Sequence, residues 1–237
     1  MIKLENVVLA SPEQMKFIIE GMRNPMNSWE KSDSSCGKAT RVTNAQWSDD
    51  YFIGTNDANL MLRLSKADTD HRKFMRMMPV YVRITAPLYW WKEFDTYKVG
   101  TVANSCSTMH KIAEKEFTLD DFSTEHLASQ TRQVLEITID DLNDSRSIYL
   151  KTKNKGDWWQ MIQLLPSSYN QTRNVMMNYE VLTNIYKSRK DHKLDEWREF
   201  CKWIEELPYS ELITEATIPP YIKALFPEPW NCERGEK

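Results

Sequence analysis

The chain of 237 residues lacks paired cysteines, clustered histidines and any long apolar run. Its four cysteines are widely scattered without a C-x-x-C pair, which argues against zinc or dithiol redox sites and indicates reduced thiols. The four histidines form no spaced set of metal ligands. No apolar stretch approaches the roughly 20 residues of a membrane-spanning helix, and the N-terminus has no signal-peptide profile. We therefore expect a cytoplasmic protein with neither a metal nor a membrane partner.

Common catalytic signatures are missing as well. The sequence has no Gly-rich phosphate loop, no G-x-S-x-G elbow and no H-E-x-x-H helix. The net charge of −3 gives no general attraction to nucleic acid, so no polymeric nucleic acid is expected as a partner. These absences give other enzyme classes little support.

Aromatic residues, in contrast, are abundant, with nine tryptophans, ten tyrosines and eight phenylalanines. They fit either a core and a subunit interface or a stacking surface for a ring ligand. Hydrophobic content of 41% and charged content of 27% are typical of globular proteins. The length fits a single domain over residues 1–237.

The first elements are a strand followed by a helix. The range 2–9 alternates loosely between apolar and polar residues, and Ser11-Pro12-Glu13-Gln14 predicts a capping box and a helix start. The range 80–85 predicts a half-buried strand that Pro87 closes, with a helix over 88–98 and a polar loop over 101–108. The order of strand and helix indicates an α/β or α+β domain.

Other segments are less regular. We interpret 27–51 as a loop excursion, and Thr55-Asn56-Asp57 as the cap of a helix. The range 134–139 fits a strand or a helix. The proline-rich range 217–237 predicts an extended tail.

The stretch 164–207 carries two helical patterns joined by the polar range 190–193. The first pattern predicts a helix with one apolar stripe, formed by Val175, Tyr179, Leu182 and Tyr186. Asn178 and Arg189 are eleven positions apart, so both would project from nearly the same helix face. An amide and a permanent cation on such a face could hold a ligand that is part aromatic ring and part anion.

The spacing of Leu165-Pro166, Asn178, Leu182 and Arg189 resembles the C-terminal half of the flavin-dependent thymidylate synthases, where this region lines the flavin and dUMP pocket. The resemblance implies an α+β domain with a central, mostly antiparallel sheet flanked by long helices. It also implies a homotetramer, FAD as cofactor, and NADPH and methylenetetrahydrofolate as co-substrates.

The signature of that family, R-H-R-x-x-S followed by N-x-x-S, is retained here in part. Lys98 stands for the last arginine and Thr101 for the serine, while Asn104 and Ser107 keep the N-x-x-S spacing after a one-residue shift. At four other positions the family's cation or histidine is lost, namely at Thr96, Tyr97, Ile162 and Glu180. Replacing guanidinium by hydroxyl removes a bidentate anion clamp.

The resemblance implies three overlapping groups of site residues. Catalytic roles fall to Arg189, Asn104 and Ser107. The flavin would contact Lys98, Thr101, Asn178 and His71. The nucleotide would contact Arg189, Ser107, Cys106 and Arg173. A lone histidine or cysteine can equally be structural, which leaves His71 and Cys106 with two interpretations.

Two functional hypotheses follow from the resemblance. The first is a divergent flavin-dependent thymidylate synthase that transfers a one-carbon unit from methylenetetrahydrofolate to C5 of dUMP or a related pyrimidine nucleotide, with flavin-mediated reduction. The second is a catalytically inactive protein of the same fold that binds nucleotides or serves as a scaffold.

Overall fold

The computed structural model describes residues 2–37 and 50–214. The chain divides into two compact units, Met1–Leu9 with Pro79–Trp203 and Ala10–Met78 with Ile204–Lys237. The tail predicted for 217–237 lies outside the described residues, and the assignment of a single domain over 1–237 stays a prediction. Each unit is considered by itself below.

The described elements include both helices and strands. In chain order they are β1 Lys3–Leu9, α1 Pro12–Arg23, β2 Ser35–Gly37, β3 Asp50–Phe52, α2 Thr55–Ser65, α3 Lys73–Arg76, β4 Pro79–Pro87, α4 Leu88–Phe94, β5 Val102–Ser105, α5 Ser129–Thr152, α6 Lys155–Leu164, β6 Asn170–Asn178, α7 Tyr179–Arg189, α8 Asp195–Glu206 and α9 Glu211–Thr214.

A four-stranded antiparallel sheet in the order β1-β4-β6-β5 organises the first unit. β4 and β6 pair without interruption from Pro79 opposite Asn178 to Pro87 opposite Asn170. β1 pairs with β4 around a register shift at Asn6, whose φ is 52°. This sheet and the helices around it confirm the expected α+β class.

The alternation in β4 is that of a half-buried strand, as the sequence predicts. Val80, Val82 and Ile84 are at most 2% exposed, whereas Tyr81 and Arg83 point to the opposite face. Because successive side chains of a strand alternate between the two faces of a sheet, one face carries the core and the other is open. The helix that follows ends at Phe94, before the predicted limit of 98.

The first unit has an aromatic core and a second apolar cluster. The aromatic core is built from α4 and α8 and consists of Trp90, Trp91, Phe94, Trp197 and Phe200, each at most 1% exposed. The second cluster joins α5 and α6 through Leu135, Leu142 and Met161. The ambiguous range 134–139 is therefore helical, and its apolar residues at three- and four-residue steps include the buried Leu135 and Ile139.

In the second unit, α1 begins as the sequence predicts. Ser11 Oγ accepts the backbone N–H of Gln14, and the Gln14 side chain accepts the backbone N–H of Ser11. This capping box satisfies two donors that the first helical turn would leave unpaired. The buried face of α1 carries Met15, Ile18, Ile19 and Met22.

α2 is capped differently from the prediction. Thr55 is its first residue rather than its cap, and Gly54 at the N-cap has no side chain to offer. The carboxylate of Asp33 instead accepts the backbone N–H groups of Asn56 (2.9 Å) and Asp57 (3.2 Å). A cap from a residue more than twenty positions away carries no local sequence signal.

The predicted excursion over 27–51 contains regular structure where it is described. Trp29–Lys31 form a 3₁₀ turn, and β2 pairs antiparallel with β3. Residues 38–49 of the excursion lie outside the described residues. The polar composition of the segment therefore did not indicate the short two-stranded antiparallel sheet that it contains.

Candidate functional site

Asn178 and Arg189 are positioned by the junction of β6 and α7 rather than by one helix. Val175 lies in the strand opposite Val82, so the predicted stripe crosses a strand–helix boundary. Asn178 is the N-cap of α7, and its Oδ1 accepts the backbone N–H of Val181 at 3.0 Å. The prediction that Asn178 and Arg189 share a helix face is wrong because Asn178 has extended backbone geometry and uses its amide oxygen as a cap.

Arg189, the last residue of α7, has partners within the first unit. Its Nη1 donates to Glu93 Oε2 at 2.8 Å and its Nε donates to the Tyr97 hydroxyl at 2.9 Å. The guanidinium carbon lies 4.9 Å from the ring centroid of Trp197. The side chain is 19% exposed. Arg189 is therefore oriented and partly neutralised by protein groups.

Glu93 is the hub of this arrangement, and the sequence analysis did not single it out. Its Oε2 also accepts the indole N–H of Trp197 at 2.8 Å and lies 3.4 Å from His192 Nε2. A carboxylate inside the aromatic α4 segment was the available signal, because a half-buried acid among apolar residues requires a partner.

Arg173 has a similar arrangement on β6. Its Nη1 donates to Asp95 Oδ1 at 2.7 Å, its Nε donates to Gln171 Oε1 at 2.9 Å, and its guanidinium stacks 4.1 Å from the Trp91 ring centroid. Gln171 Nε2 in turn donates to the carbonyl of Cys106 at 2.7 Å. The structure thus brings two of the predicted nucleotide contacts, Arg173 and Cys106, into one hydrogen-bonded group.

The predicted polar loop after Gly100 is partly a strand. Asn104 lies in β5, opposite Asn174, and is exposed. Lys98 is exposed in the preceding turn. Thr101 Oγ1 is buried and has no hydrogen-bond partner among the described residues. The segment was misassigned because a short edge strand of small polar residues lacks an apolar alternation.

Ser107 and Cys106 follow the end of β5. Ser107 Oγ accepts the backbone N–H groups of Met109 (3.3 Å) and His110 (2.9 Å), which makes it the start of a turn. The Cys106 thiol is free and exposed, and its backbone N–H donates to Thr172 O at 2.9 Å. Both side chains are accessible to a ligand on this edge of the sheet.

His71 belongs to the second unit. It lies in an exposed turn before α3, where its backbone N–H donates to Asp68 O at 2.8 Å. Its role as a flavin contact remains a prediction.

Glu196, in the first turn of α8, is buried and accepts a hydrogen bond from the Tyr89 hydroxyl. Burial and then this hydrogen bond raise the pKa of Tyr89 above its usual value. Tyr89 therefore remains a neutral donor, and the pair fixes the start of α8 against α4.

Two crystal structures of thymidylate synthase X (ThyX) from Helicobacter pylori, both with FAD and dUMP, are similar to this chain with TM-scores of 0.62. Sequence identity is 16% and 14%, and the match covers 91% and 92% of this chain and 98% and 99% of the ThyX chains. The chain has a ThyX-like fold. No protein-family model and no curated protein match the sequence.

The side chains of the first unit suit FAD and dUMP, the ligands in the two ThyX structures, only in part. One short segment, residues 98–107, offers ammonium, hydroxyl and amide groups from Lys98, Thr101, Asn104 and Ser107. The Thr101 hydroxyl in it is buried and has no hydrogen-bond partner among the described residues. Among the described cations in this region, Arg189 and Arg173 are paired with carboxylates. These guanidinium groups are therefore partly neutralised before any anion could reach them.

Within residues 2–37 and 50–214, no three His, Cys, Asp or Glu side chains come together to hold a metal ion. No helix in those ranges is both long and apolar enough to cross a membrane.

Gly100 lies between α4 and β5 and has a left-handed φ of 77°. A Cβ there would lie 3.1 Å from both Asn178 Nδ2 and Val181 Cγ2. We expect Gly100→Ala to lower the free energy of unfolding by about 1–2 kcal/mol in urea titrations. The matched control is Gly21→Ala in α1, where the Cβ would meet only Met77 Sδ at 3.9 Å, and which should stabilise by about 0.5–1 kcal/mol. A neutral Gly100→Ala would contradict the strain at this turn.

Proposed function

We propose that this chain is a divergent flavin-dependent thymidylate synthase-like enzyme. It would transfer a one-carbon unit from methylenetetrahydrofolate to C5 of dUMP or a related pyrimidine nucleotide. The observation that carries the proposal is the ThyX-like fold over 91% of the chain, shared with structures that contain FAD and dUMP. A cytoplasmic homotetramer is part of the same proposal.

The bound flavin would supply the hydride, derived from NADPH, that completes the methyl group. The protein's own part is to orient the ring ligands and stabilise their charge. Lys98 is an exposed cation three residues before Thr101, and we assign it to an anionic group of the flavin or nucleotide. Asn104 and Ser107 provide hydrogen bonds from the edge of β5, and Arg189 contributes through its remaining exposed surface.

A second candidate is a ThyX-like protein that binds nucleotides or partners without catalysis. The pairing of Arg189 with Glu93 and of Arg173 with Asp95 supports it, because these carboxylates already occupy the guanidinium groups. Ile162, which stands where the family often has an arginine, packs against the second apolar cluster. An apolar side chain used in packing does not serve as an anion clamp.

Visible absorption of the full-length protein, as purified and after incubation with FAD, tests the proposal first. A bound-flavin spectrum followed by formation of dTMP from dUMP, methylenetetrahydrofolate and NADPH would support the enzyme. Flavin or dUMP binding without turnover would instead establish the second candidate. If neither ligand binds, both nucleotide-based functions are wrong.

Thr101→Val tests whether the unpaired hydroxyl serves a ligand. Removing a buried hydroxyl that lacks a partner should stabilise the ligand-free protein by about 1 kcal/mol. If the hydroxyl contacts the flavin, the same variant should bind FAD several-fold more weakly, measured by absorption titration. Thr96→Val, at an exposed position in the turn that ends α4, is the control for FAD affinity, which it should leave unchanged. It is not a control for stability, because Thr96 Oγ1 donates to Glu93 O at 2.7 Å. A loss of stability in Thr101→Val without a change in FAD affinity would contradict the assignment.

Glu93→Gln tests the neutralisation of Arg189. Glutamine retains an acceptor for the indole of Trp197 but removes the negative charge, so Arg189 should become available to an anion. We expect about three- to tenfold tighter dUMP binding in calorimetric titrations, since a charge-assisted hydrogen bond contributes about 1.5 kcal/mol. Glu114→Gln, which removes an exposed carboxylate in the same unit, should leave the affinity unchanged. Weaker binding in Glu93→Gln would show that Glu93 holds Arg189 in its binding position.

A further inference from the structure

A cavity of about 480 Å³ lies in the second unit, beside α1, the 3₁₀ turn Trp29–Lys31 and β3. Its volume is within the range of small-molecule sites. None of the sequence motifs or the contacts of the first unit involves it. Three chemical groups line it: charged side chains on α1, two aromatic rings and several serine hydroxyls.

Arg23 provides the most constrained part of the lining. It is 3% exposed, and its Nε donates to Asp57 Oδ1 at 2.5 Å while its Nη1 donates to Ser28 O at 3.2 Å. Its Nη2 makes no hydrogen bond to any described residue, and Arg23 borders the cavity. Since its other nitrogens are occupied, Nη2 is the donor that remains for a ligand oxygen.

Asp57 keeps this guanidinium in place. Its Oδ2 accepts the hydroxyls of Ser32 (2.7 Å) and Ser34 (2.6 Å), and both serines also line the cavity. Burial alone would raise the pKa of Asp57, but hydrogen bonds from Ser34, Ser32 and Arg23 hold it below its usual value. The ion pair is therefore a fixed, ionised support rather than a group that moves on binding.

Lys16, Glu20 and Arg23 occupy one face of α1, at steps of four and three residues. Neither Lys16 nor Glu20 has an ion-pair partner among the described residues. Glu20 and Arg23 are separated by ~4.5 Å along the helix axis, from three residues at ~1.5 Å each. This face of α1 thus presents the Glu20 carboxylate beside the Arg23 guanidinium. Such a pair suits a ligand that carries an ammonium and a carboxylate on one carbon atom.

Two aromatic rings also line the cavity. Trp29 is 48% exposed, and its indole N–H donates to Asn24 Oδ1 at 2.8 Å, which fixes the ring plane. Tyr51 from β3 is half-buried and also borders the cavity. A held and half-exposed indole is a stacking surface for a planar group.

We propose that this cavity binds a zwitterionic small molecule with a planar body, of the chemical class of the aromatic α-amino acids. The ligand carboxylate contacts Arg23 Nη2 and Lys16, its ammonium contacts Glu20, and its ring stacks on Trp29. The proposal does not depend on flavin or nucleotide binding.

The test uses the full chain labelled with 5-fluorotryptophan and observed by fluorine NMR, with the Trp29 resonance assigned from Trp29→Phe. We expect L-phenylalanine to shift this resonance saturably, with a Kd below about 1 mM. Hydrocinnamate lacks the amine and phenethylamine lacks the carboxylate, so each should bind at least about fivefold more weakly. No saturable shift with L-phenylalanine would overturn the proposal, as would equal affinity for all three probes.

Two variants assign the charges without disturbing the buried pair. Glu20→Gln should weaken L-phenylalanine about fivefold and leave hydrocinnamate unchanged or tighter, whereas Lys16→Met should weaken both carboxylates. Glu30→Gln and Lys66→Met, which do not line the cavity, are matched controls and should bind as the parent protein does. If Glu20→Gln binds L-phenylalanine as the parent does, the zwitterion assignment is wrong.

Discussion

Replacing Trp197 by alanine is expected to lower the free energy of unfolding by about 3–5 kcal/mol, because it empties the centre of the aromatic core. Trp197 is fully buried, and its ring centroid lies 4.7 Å from that of Trp90 and 5.9 Å from that of Phe200. The substitution also removes the ring beneath Arg189 and the N–H donor to Glu93. Urea titrations followed by circular dichroism give the measurement.

Trp197→Phe separates packing from the polar contacts. It retains an aromatic ring but loses the indole N–H, so we expect it to be less destabilising than alanine. If Arg189 takes part in dUMP binding, both variants should also weaken that binding. A cost below about 1 kcal/mol for Trp197→Ala would contradict the central place of this ring in the core.

Asp57→Asn is expected to cost about 3–5 kcal/mol, since it leaves the guanidinium of Arg23 buried without a counter-charge. Arg23 is 3% exposed and Asp57 is fully buried, so the amide of asparagine, which has the same size, leaves no space for water at the Nε side of the guanidinium. The variant retains the size of the side chain, which separates the electrostatic loss from a cavity. Chemical unfolding at neutral pH gives the measurement.

The pH dependence of stability provides an independent check on Asp57. Its pKa is lowered in the folded protein, so its contribution is present above the unfolded pKa of a carboxyl group and is lost as the pH falls through the folded value. The stability of Asp57→Asn should therefore decline less steeply in acid than that of the parent. Asp70→Asn, which removes an exposed carboxylate of the same unit, is the control and should retain the acid profile of the parent. Parallel acid profiles for parent and Asp57→Asn would contradict the assignment.

Local patterns predicted the elements whose signals are local. The capping box at Ser11 and the alternation from Val80 to Ile84 are confirmed because each depends on neighbours within a few residues. The helix predicted from Val175 onward includes the end of the strand Asn170–Asn178, because the pairing of that strand with β4 is formed by residues about ninety positions away. The apolar steps of three and four residues from Val175 to Tyr186 cross the boundary between this strand and α7.

Most residues of the candidate site could be named from the sequence, but the contacts between them could not. Arg189 and Tyr97 were both noted from the sequence, yet their hydrogen bond joins residues 92 positions apart. Glu93, which receives three donors or cations, was missed because its function is defined only by these distant partners. The sequence showed the cations Arg173 and Arg189, but it did not show that Asp95 and Glu93 neutralise them.

The register shift in β1 makes the two edges of the four-stranded sheet unequal. At Asn6 the backbone turns into the left-handed region, so the outer hydrogen-bonding row of β1 is interrupted. A strand arriving from another molecule needs an unbroken row of backbone groups, and β-bulges protect sheet edges in this way. At the opposite edge, β5 from Val102 to Ser105 is short and entirely exposed, with a regular register. Extension of the sheet by a foreign strand is therefore directed to one side of the molecule.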